Sequence, residues 1–118
     1  MTNTTIDRYG RVRIPADLRK TMEGHGREVF VTTLDGTSVV IYPLPLWDDY
    51  SRQLAGKRKG ESVQRFMMMV NRWGFKIQMD SRGRIQIGKE LLERTGLKGR
   101  LKIEEKEDHI RLIKVDNK

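Results

Sequence analysis

Cysteine is absent from this 118-residue sequence, and histidine occurs only as His25 and His109. Without cysteine the chain has neither disulfides nor thiolate metal ligands, which agrees with a reducing cytosol. The two histidines lie 84 positions apart and have no partner at the spacing of a metal site. We therefore expect no metal, no cofactor and no histidine-based catalysis.

Long apolar segments are also absent. The densest apolar run covers residues 66–70, which is far too short to cross a bilayer. Residues 1–6 do not show a positive charge followed by an apolar stretch, the pattern of a secretion signal. The sequence therefore predicts a cytoplasmic protein with no membrane partner.

Known catalytic patterns are missing as well. The sequence has no phosphate-binding P-loop, no glycine-rich dinucleotide turn after a strand and no zinc-ligand spacing. An acidic cluster falls on a predicted charged strand and turn, where a solvated face is the expected structure. Its members are Glu104, Glu105, Glu107 and Asp108. We expect no enzyme activity and no small-molecule substrate.

What the sequence does have is positive charge. Lys and Arg total 24 against 16 for Asp and Glu, which gives a formal net charge of +8. Such an excess favours a polyanionic partner, with nucleic acid ahead of an anionic membrane. A chain of this length fits one ordinary domain or two very small units fused together.

The sequence also repeats itself, with an offset of 73 positions. Eight residues recur identically at this offset: Gly26, Arg27 and Asp35 fall on Gly99, Arg100 and Asp108, and the other five lie in the first turn or just after it. Asp7, Gly10, Arg11, Ile14 and Leu18 fall on Asp80, Gly83, Arg84, Ile87 and Leu91. We therefore divide the chain into a first unit over residues 4–43, a helical connection over 44–74 and a second unit over 75–116.

Each unit shows the same order of hydrophobic periodicities. Alternating strands flank a tight turn, a short helix follows, and two more strands complete the unit, with the helix of the first unit beginning at Pro15. The strands near the end of the second unit are more charged, which predicts one solvent-facing side. A unit of about forty residues has too little core to be stable alone. The two units are therefore expected to share one core.

The connection between the units is predicted to form two helices. Trp47, Tyr50 and Leu54 recur at helical spacing, and a second amphipathic stretch covers residues 61–73. The break between the helices is placed at residues 56–60, which contain no apolar residue and are expected to form a solvated loop. The three methionines at positions 67–69 are interpreted as packing residues.

The repeated Asp-x-x-Gly-Arg turn is the most informative motif. Glycine permits a positive φ, and the aspartate can accept hydrogen bonds from the turn's own amides. Arginines at a hairpin tip offer guanidinium forks for phosphates or for guanine O6 and N7. The alternative is structural, with each arginine paired to the aspartate of its own turn. The candidate DNA-binding residues are Arg8, Arg11, Arg13, Arg82 and Arg84, and the turn-shaping residues are Asp7, Gly10, Asp80 and Gly83.

Together these motifs resemble the MraZ family. The similarity covers residues 4–116 and rests on the two turns, on the segment Ile-Pro-Ala-Asp-Leu-Arg at 14–19 and on the junction Tyr-Pro-Leu-Pro-Leu-Trp at 42–47. It implies a β-rich α+β fold of the AbrB swapped-hairpin type, in which tandem βαββ units interleave their hairpins within one chain. It also implies a ring-shaped homo-oligomer that binds double-stranded DNA at the nucleoid.

The resemblance further implies transcriptional repression of the division and cell wall operon that contains the protein's own gene. The family's DNA-contacting turns map onto Arg8, Arg11, Arg82 and Arg84. The sequence departs from the family at Tyr9, where a basic residue is usual, and at Gly88, where proline is usual. The longer helical tail of some members is not seen after the second unit, which leaves the ring size open.

Two alternatives stay open. A protein of the same fold could act as an interaction protein or as an antitoxin-like binder of an acidic protein, although antitoxins of this fold usually have one unit and a disordered tail. RNA binding is the second alternative to DNA binding, and it is disfavoured because no aromatic-rich strand surface for stacking bases is evident.

Overall fold

The computed structural model describes residues 2–57 and 60–115. The first unit contains β1 (Thr2–Ile6), β2 (Arg11–Arg13), α1 (Ala16–Glu23), β3 (Glu28–Thr32) and β4 (Val39–Pro43). The connection forms α2 (Leu44–Lys57) and α3 (Glu61–Trp73). The second unit repeats the first order with β5 (Phe75–Gln78), β6 (Arg84–Gln86), α4 (Lys89–Thr95), β7 (Gly99–Glu105) and β8 (Ile110–Lys114).

Eight strands form one antiparallel sheet in the order β5-β3-β4-β8-β7-β1-β2-β6. The order shows that the units exchange their hairpins: β1 pairs with β7, β5 pairs with β3, and β2 pairs with β6. Because β5 and β6 at the two ends belong to one hairpin, the sheet curls into a nearly closed barrel. The predicted β-rich swapped-hairpin fold is confirmed, whereas the division of the chain at residues 43/44 and 74/75 stays a prediction.

One main core lies inside this barrel and draws on both units. Val12 and Ile85 face each other across the β2–β6 pair and are fully buried. Leu18 from α1 and Leu91 from α4 close the two ends of the same cluster. Burial of such a side chain stabilises the fold by about 1.5–3 kcal/mol. The prediction of a shared core is confirmed.

A second, smaller core lies outside the barrel, where α2 and α3 cover the outer face of β3 and β4. The Trp47 ring stacks on Phe30 with 4.4 Å between centroids, and Val70 is fully buried. The Thr32 hydroxyl donates to the Val70 carbonyl at 2.7 Å, which fixes α3 against the sheet. Strands β7 and β8 instead alternate between buried and more exposed residues. This alternation confirms the solvent-facing side predicted for the second unit.

A cluster of ion pairs fastens the seam between β4 and β8. The Arg111 guanidinium contacts Asp35 Oδ2 at 2.6 Å and Glu104 Oε1 at 3.3 Å, and its Nε donates to the Ser38 hydroxyl at 2.9 Å. Burial raises the pKa of Asp35, but hydrogen bonds from the backbone of Thr37 and Ser38 outweigh it and lower that pKa well below the usual range. A charged Asp35 therefore links a loop of the first unit to a strand of the second.

Three expectations about local structure were wrong. Pro15 has ψ 149°, so it precedes α1, which begins at Ala16. Helix α2 continues through Gly56, because one glycine costs only about 1 kcal/mol and does not by itself end a helix. Met68 does not pack within the chain and is 72% exposed. Arg58 and Lys59, which belong to the predicted solvated loop, lie outside the described residues.

Candidate nucleic-acid interface

The first turn, residues 7–11, is held together by Asp7. Its Oδ1 accepts hydrogen bonds from the backbone N–H groups of Tyr9 and Arg11, both at 2.9 Å. Its Oδ2 pairs with Arg11 Nε at 3.1 Å. The bond from the Arg11 backbone is the main cause that lowers the pKa of Asp7. Gly10 has φ +80°, and a Cβ there would lie 2.8 Å from the Ile87 carbonyl oxygen, so only glycine fits.

The second turn, residues 80–84, repeats this arrangement. Asp80 Oδ1 accepts from the Arg82 and Arg84 backbone N–H groups at 2.9 and 2.8 Å. Its Oδ2 pairs with Arg84 Nε at 2.8 Å. The hydrogen bond from the Arg84 backbone, helped by its side chain, lowers the pKa of Asp80 to about 2. Gly83 has φ +75°. The aspartates and glycines predicted to shape the turns lie at these positions, and the assignment of the site stays a prediction.

The arginine that ends each turn is therefore held by an ion pair and remains partly exposed. Arg11 and Arg84 each use Nε for the turn aspartate and keep 35% and 31% of their side chains exposed. The structural alternative raised from the sequence is thus realised in both turns. It leaves the terminal guanidinium nitrogens as oriented donors, because only one edge of the guanidinium fork is occupied.

The pairing of β2 with β6 places the two turns side by side. Ile14 N donates to the Gly83 carbonyl at 2.8 Å, and Ile87 N donates to the Gly10 carbonyl at 2.7 Å. These reciprocal bonds are related by the same offset of 73 positions, so a local two-fold relates the hairpins. Since Val12 and Ile85 point into the core, their strand neighbours point outward. The outward residues form two cross-strand pairs, Arg13 with Arg84 and Arg11 with Gln86.

One surface concavity, which we call the basic concavity, contains most of the predicted site. It is lined by Thr5, Asp7, Arg11, Arg13, Arg82 and Arg84. Arg13 and Arg82 are exposed, and each takes part in a hydrogen bond through its backbone, with Thr4 Oγ1 and Asp80 Oδ1 as the partners. Arg13 lies directly opposite Arg84, which is paired with Asp80, and the four lining arginines outnumber the one lining carboxylate, that of Asp7. The concavity is therefore suited to a phosphate or another strong acceptor.

Arg8 lies apart from this group. Its guanidinium is 4.9 Å from the centroid of the Tyr9 ring, and its Nη2 donates to the Tyr9 hydroxyl at 2.7 Å. Arg11 also approaches the same ring, at 5.2 Å. Tyr9 is 58% exposed, so the aromatic residue holds two cations at the first tip by cation–π attraction.

Sequence reasoning missed two side chains beside the turns. The Arg19 side chain, from α1, packs over Gly83, and a Cβ at that glycine would lie 2.5 Å from Arg19 Cδ. Gln86 Nε2 donates to the Tyr9 carbonyl of the other unit. The offset of 73 positions shows that the two units differ at both places, because it aligns Arg19 with Leu92 and Arg13 with Gln86. Leu92 does lie against Gly10, where Arg19 lies against Gly83.

The remaining clusters show less organised chemistry. His25 and His109, distant in sequence, line one small cleft, where His109 stacks on Tyr42 at 4.4 Å and contacts Asp108 at 2.7 Å. Within residues 2–57 and 60–115, no group of three or more His, Asp or Glu side chains is placed to hold a metal ion. Among the helices described, none has the length and apolar character needed to cross a membrane.

Comparison with known proteins places the chain among bacterial relatives. A family model described as "MraZ protein, putative antitoxin-like" matches residues 1–66. A protein of Acidobacterium capsulatum named "Transcriptional regulator MraZ" is 32% identical over 98 residues, which cover 81% of this chain and 67% of the relative. A protein of the same name from Koribacter versatilis is 28% identical over 103 residues, covering 85% and 70%. These alignments extend the match well beyond the first unit.

Proposed function

The chain belongs to the MraZ family, and on that premise we propose that it is a sequence-specific DNA-binding transcriptional regulator. Its target would be the operon for division and cell wall synthesis that contains its own gene, which it represses from the nucleoid in the cytoplasm. The relatives named as transcriptional regulators support the regulatory part of this proposal. The choice of operon follows the family resemblance.

The observation that carries the proposal is the basic concavity, where arginines from both turns meet on one face. A two-stranded ribbon is narrow enough to enter the major groove of B-DNA. In the proposed complex the turns enter the groove, and Arg11 and Arg84 present their free guanidinium edges to bases or phosphates. Because Asp7 and Asp80 hold these side chains in place before binding, less side-chain entropy is lost in the complex. Arg8, Arg13 and Arg82 would add phosphate contacts.

We further propose that the protein acts as a ring-shaped homo-oligomer. A ring presents several copies of the basic concavity to repeated sites on one duplex, so modest affinity per copy becomes strong binding through effective concentration. The ring form follows the family resemblance. Light scattering tests this part: a multi-subunit particle is expected, and a monomer at micromolar concentration would refute the ring.

DNA binding is tested with the duplex that lies upstream of the protein's own gene. Because phosphate contacts release counterions, the logarithm of the binding constant should fall with the logarithm of salt concentration with a slope of several units. A footprint within the promoter is the expected result. A flat salt response would refute binding through phosphate contacts, and binding to an acidic protein in place of DNA would support the antitoxin-like alternative.

A further inference from the structure

The local two-fold relates hairpins whose tips carry different chemistry. On the side of the second turn, Arg82 lies at the tip, Arg13 lies on the neighbouring strand, and Arg19 covers Gly83. At the positions related by 73 residues on the other side stand Tyr9, Gln86 and Leu92. Three arginines on one side therefore correspond to an aromatic ring, an amide and an apolar side chain on the other, whereas Arg8 at the first tip corresponds to Ser81 at the second.

We infer that the two turns read different bases, so that each protomer recognises an asymmetric site with a guanine half and an adenine half. This inference rests on the proposed DNA-binding function and adds the specificity of its two halves. Tyr9 and Gln86 are assigned as the specificity-determining residues of the adenine half. Arg82 and Arg13 are assigned to the guanine half.

The guanine half follows from the basic concavity. Arginine carries only donors, and its fork matches the O6 and N7 acceptors of guanine in the major groove. Arg13 and Arg82 are exposed, and Arg84 lies opposite Arg13 in the β2–β6 pair. The Arg13 and Arg82 side chains carry only donors, and these disfavour adenine because adenine presents its N6 amino group where guanine presents O6.

The adenine half follows from the fixed orientation of Gln86. One N–H of its amide donates to the Tyr9 carbonyl, and Gln86, Tyr9 and Arg11 together line a second surface concavity. This bond uses one amide N–H, and the glutamine amide carries a second N–H and the acceptor Oε1. An acceptor with a neighbouring donor matches adenine N6 and N7. The Arg8 and Arg11 guanidinium groups approach the exposed Tyr9 ring at 4.9 and 5.2 Å. Tyr9 is therefore assigned to this half through its carbonyl, which accepts from Gln86.

The first arm of the test selects sites from a pool of random duplexes with the unmodified protein. The expected motif contains guanine in one half and adenine in the other. The chain contains no cysteine, so Ser81→Cys gives a single attachment point at the second turn for an iron chelate that cuts nearby DNA. Cleavage should fall in the guanine half. A motif with the same base in both halves, or cleavage in the adenine half, would overturn the inference.

The second arm converts one half into the other. Gln86→Arg should shift the adenine half to guanine by roughly ten-fold or more in relative affinity, while the guanine half keeps its preference. Arg13→Gln should lower the guanine preference in the other half. Gln64→Arg, an exposed position on α3, adds the same charge as Gln86→Arg and should leave both preferences unchanged. Gln86→Ala, which introduces no new charge, should abolish the adenine preference without creating one for guanine.

The outcomes distinguish a failure of the asymmetric recognition from a failure of the proposed DNA-binding function. If none of these proteins binds any duplex in a salt-dependent way, the proposed function fails, and the inference fails with it. If binding persists but Gln86→Arg and Gln86→Ala change neither half, or change both halves equally, DNA binding stands and the asymmetric recognition is wrong. Thermal unfolding of each variant shows that altered preference comes from a folded protein.

Discussion

The two repeat units differ on their outer faces and agree at their interlocked centre. Strands β3 and β4 of the first unit are covered on both faces, because α2 and α3 lie on the outside. Strands β7 and β8 of the second unit are covered on one face. At the centre, by contrast, the two turns repeat each other's hydrogen bonds. The two units therefore share the contacts on which the common core depends and differ where their surfaces meet solvent or helices.

Removal of the helical cover should have the largest effect on stability. Trp47→Ala deletes the ring that stacks on Phe30 and leaves a cavity between α2 and β3. We expect a loss of about 3–5 kcal/mol in the free energy of unfolding, measured by urea denaturation. A loss below about 1 kcal/mol would show that the helices contribute little to the fold of the first unit.

A matched pair of strand residues compares the covered and uncovered faces directly. Val40 and Ile113 are related by the repeat, but Val40 is fully buried beneath the helices and Ile113 is partly exposed. Val40→Ala should cost about 2 kcal/mol. Ile113→Ala should cost below about 1 kcal/mol, although it removes more atoms. Equal losses would mean that the outer face of β8 is covered in solution, as a subunit contact would do.

The turns allow a comparison of anchoring with binding. Arg84→Ala should weaken operator binding by about 1–3 kcal/mol per engaged site while the melting temperature stays close to that of the unmodified protein. Asp80→Ala should lower both, because it removes the acceptor of two backbone N–H groups and the partner of Arg84. Arg11→Ala and Asp7→Ala test the first turn in the same way.

If the two arginine variants lower the melting temperature and leave operator binding intact, the arginines are structural. The basic residues at positions 57–59 would then be the next candidates for the DNA contact.

Acid titration of Asp80 should give the smallest of the expected effects. The pKa of Asp80 is about 2 in the folded protein and near 3.8 in the unfolded chain. A lowered folded pKa means that the contribution of Asp80 to stability is complete above the unfolded value and is lost as the pH falls from about 4 toward 2. Asp80→Asn should therefore flatten the fall of the melting temperature over this window. An unchanged profile would show that the charged form of Asp80 does not stabilise its turn.

Much of the fold and part of the site could be predicted from the sequence. The turns are local, so glycine and aspartate at the right spacing predicted their geometry, and the repeat predicted a shared core. The neighbours of the turns depend on pairing between distant strands. The contact of Gln86 with Tyr9 needs the β2–β6 register, and the position of Arg19 over Gly83 needs the docking of α1 against the other unit's hairpin. No periodicity within one unit contains this information.

The exchange of hairpins also has a consequence for synthesis. Strand β1 pairs along its whole length with β7, which begins at Gly99. At a synthesis rate of about 5–20 residues per second, β7 follows β1 by roughly 5–20 s. During that interval the first unit is attached to the ribosome with an unpaired strand edge and half of a core. Nascent chains on one messenger are close together, so β1 of one chain can meet β7 of another, and a domain-swapped dimer becomes the competing product of translation.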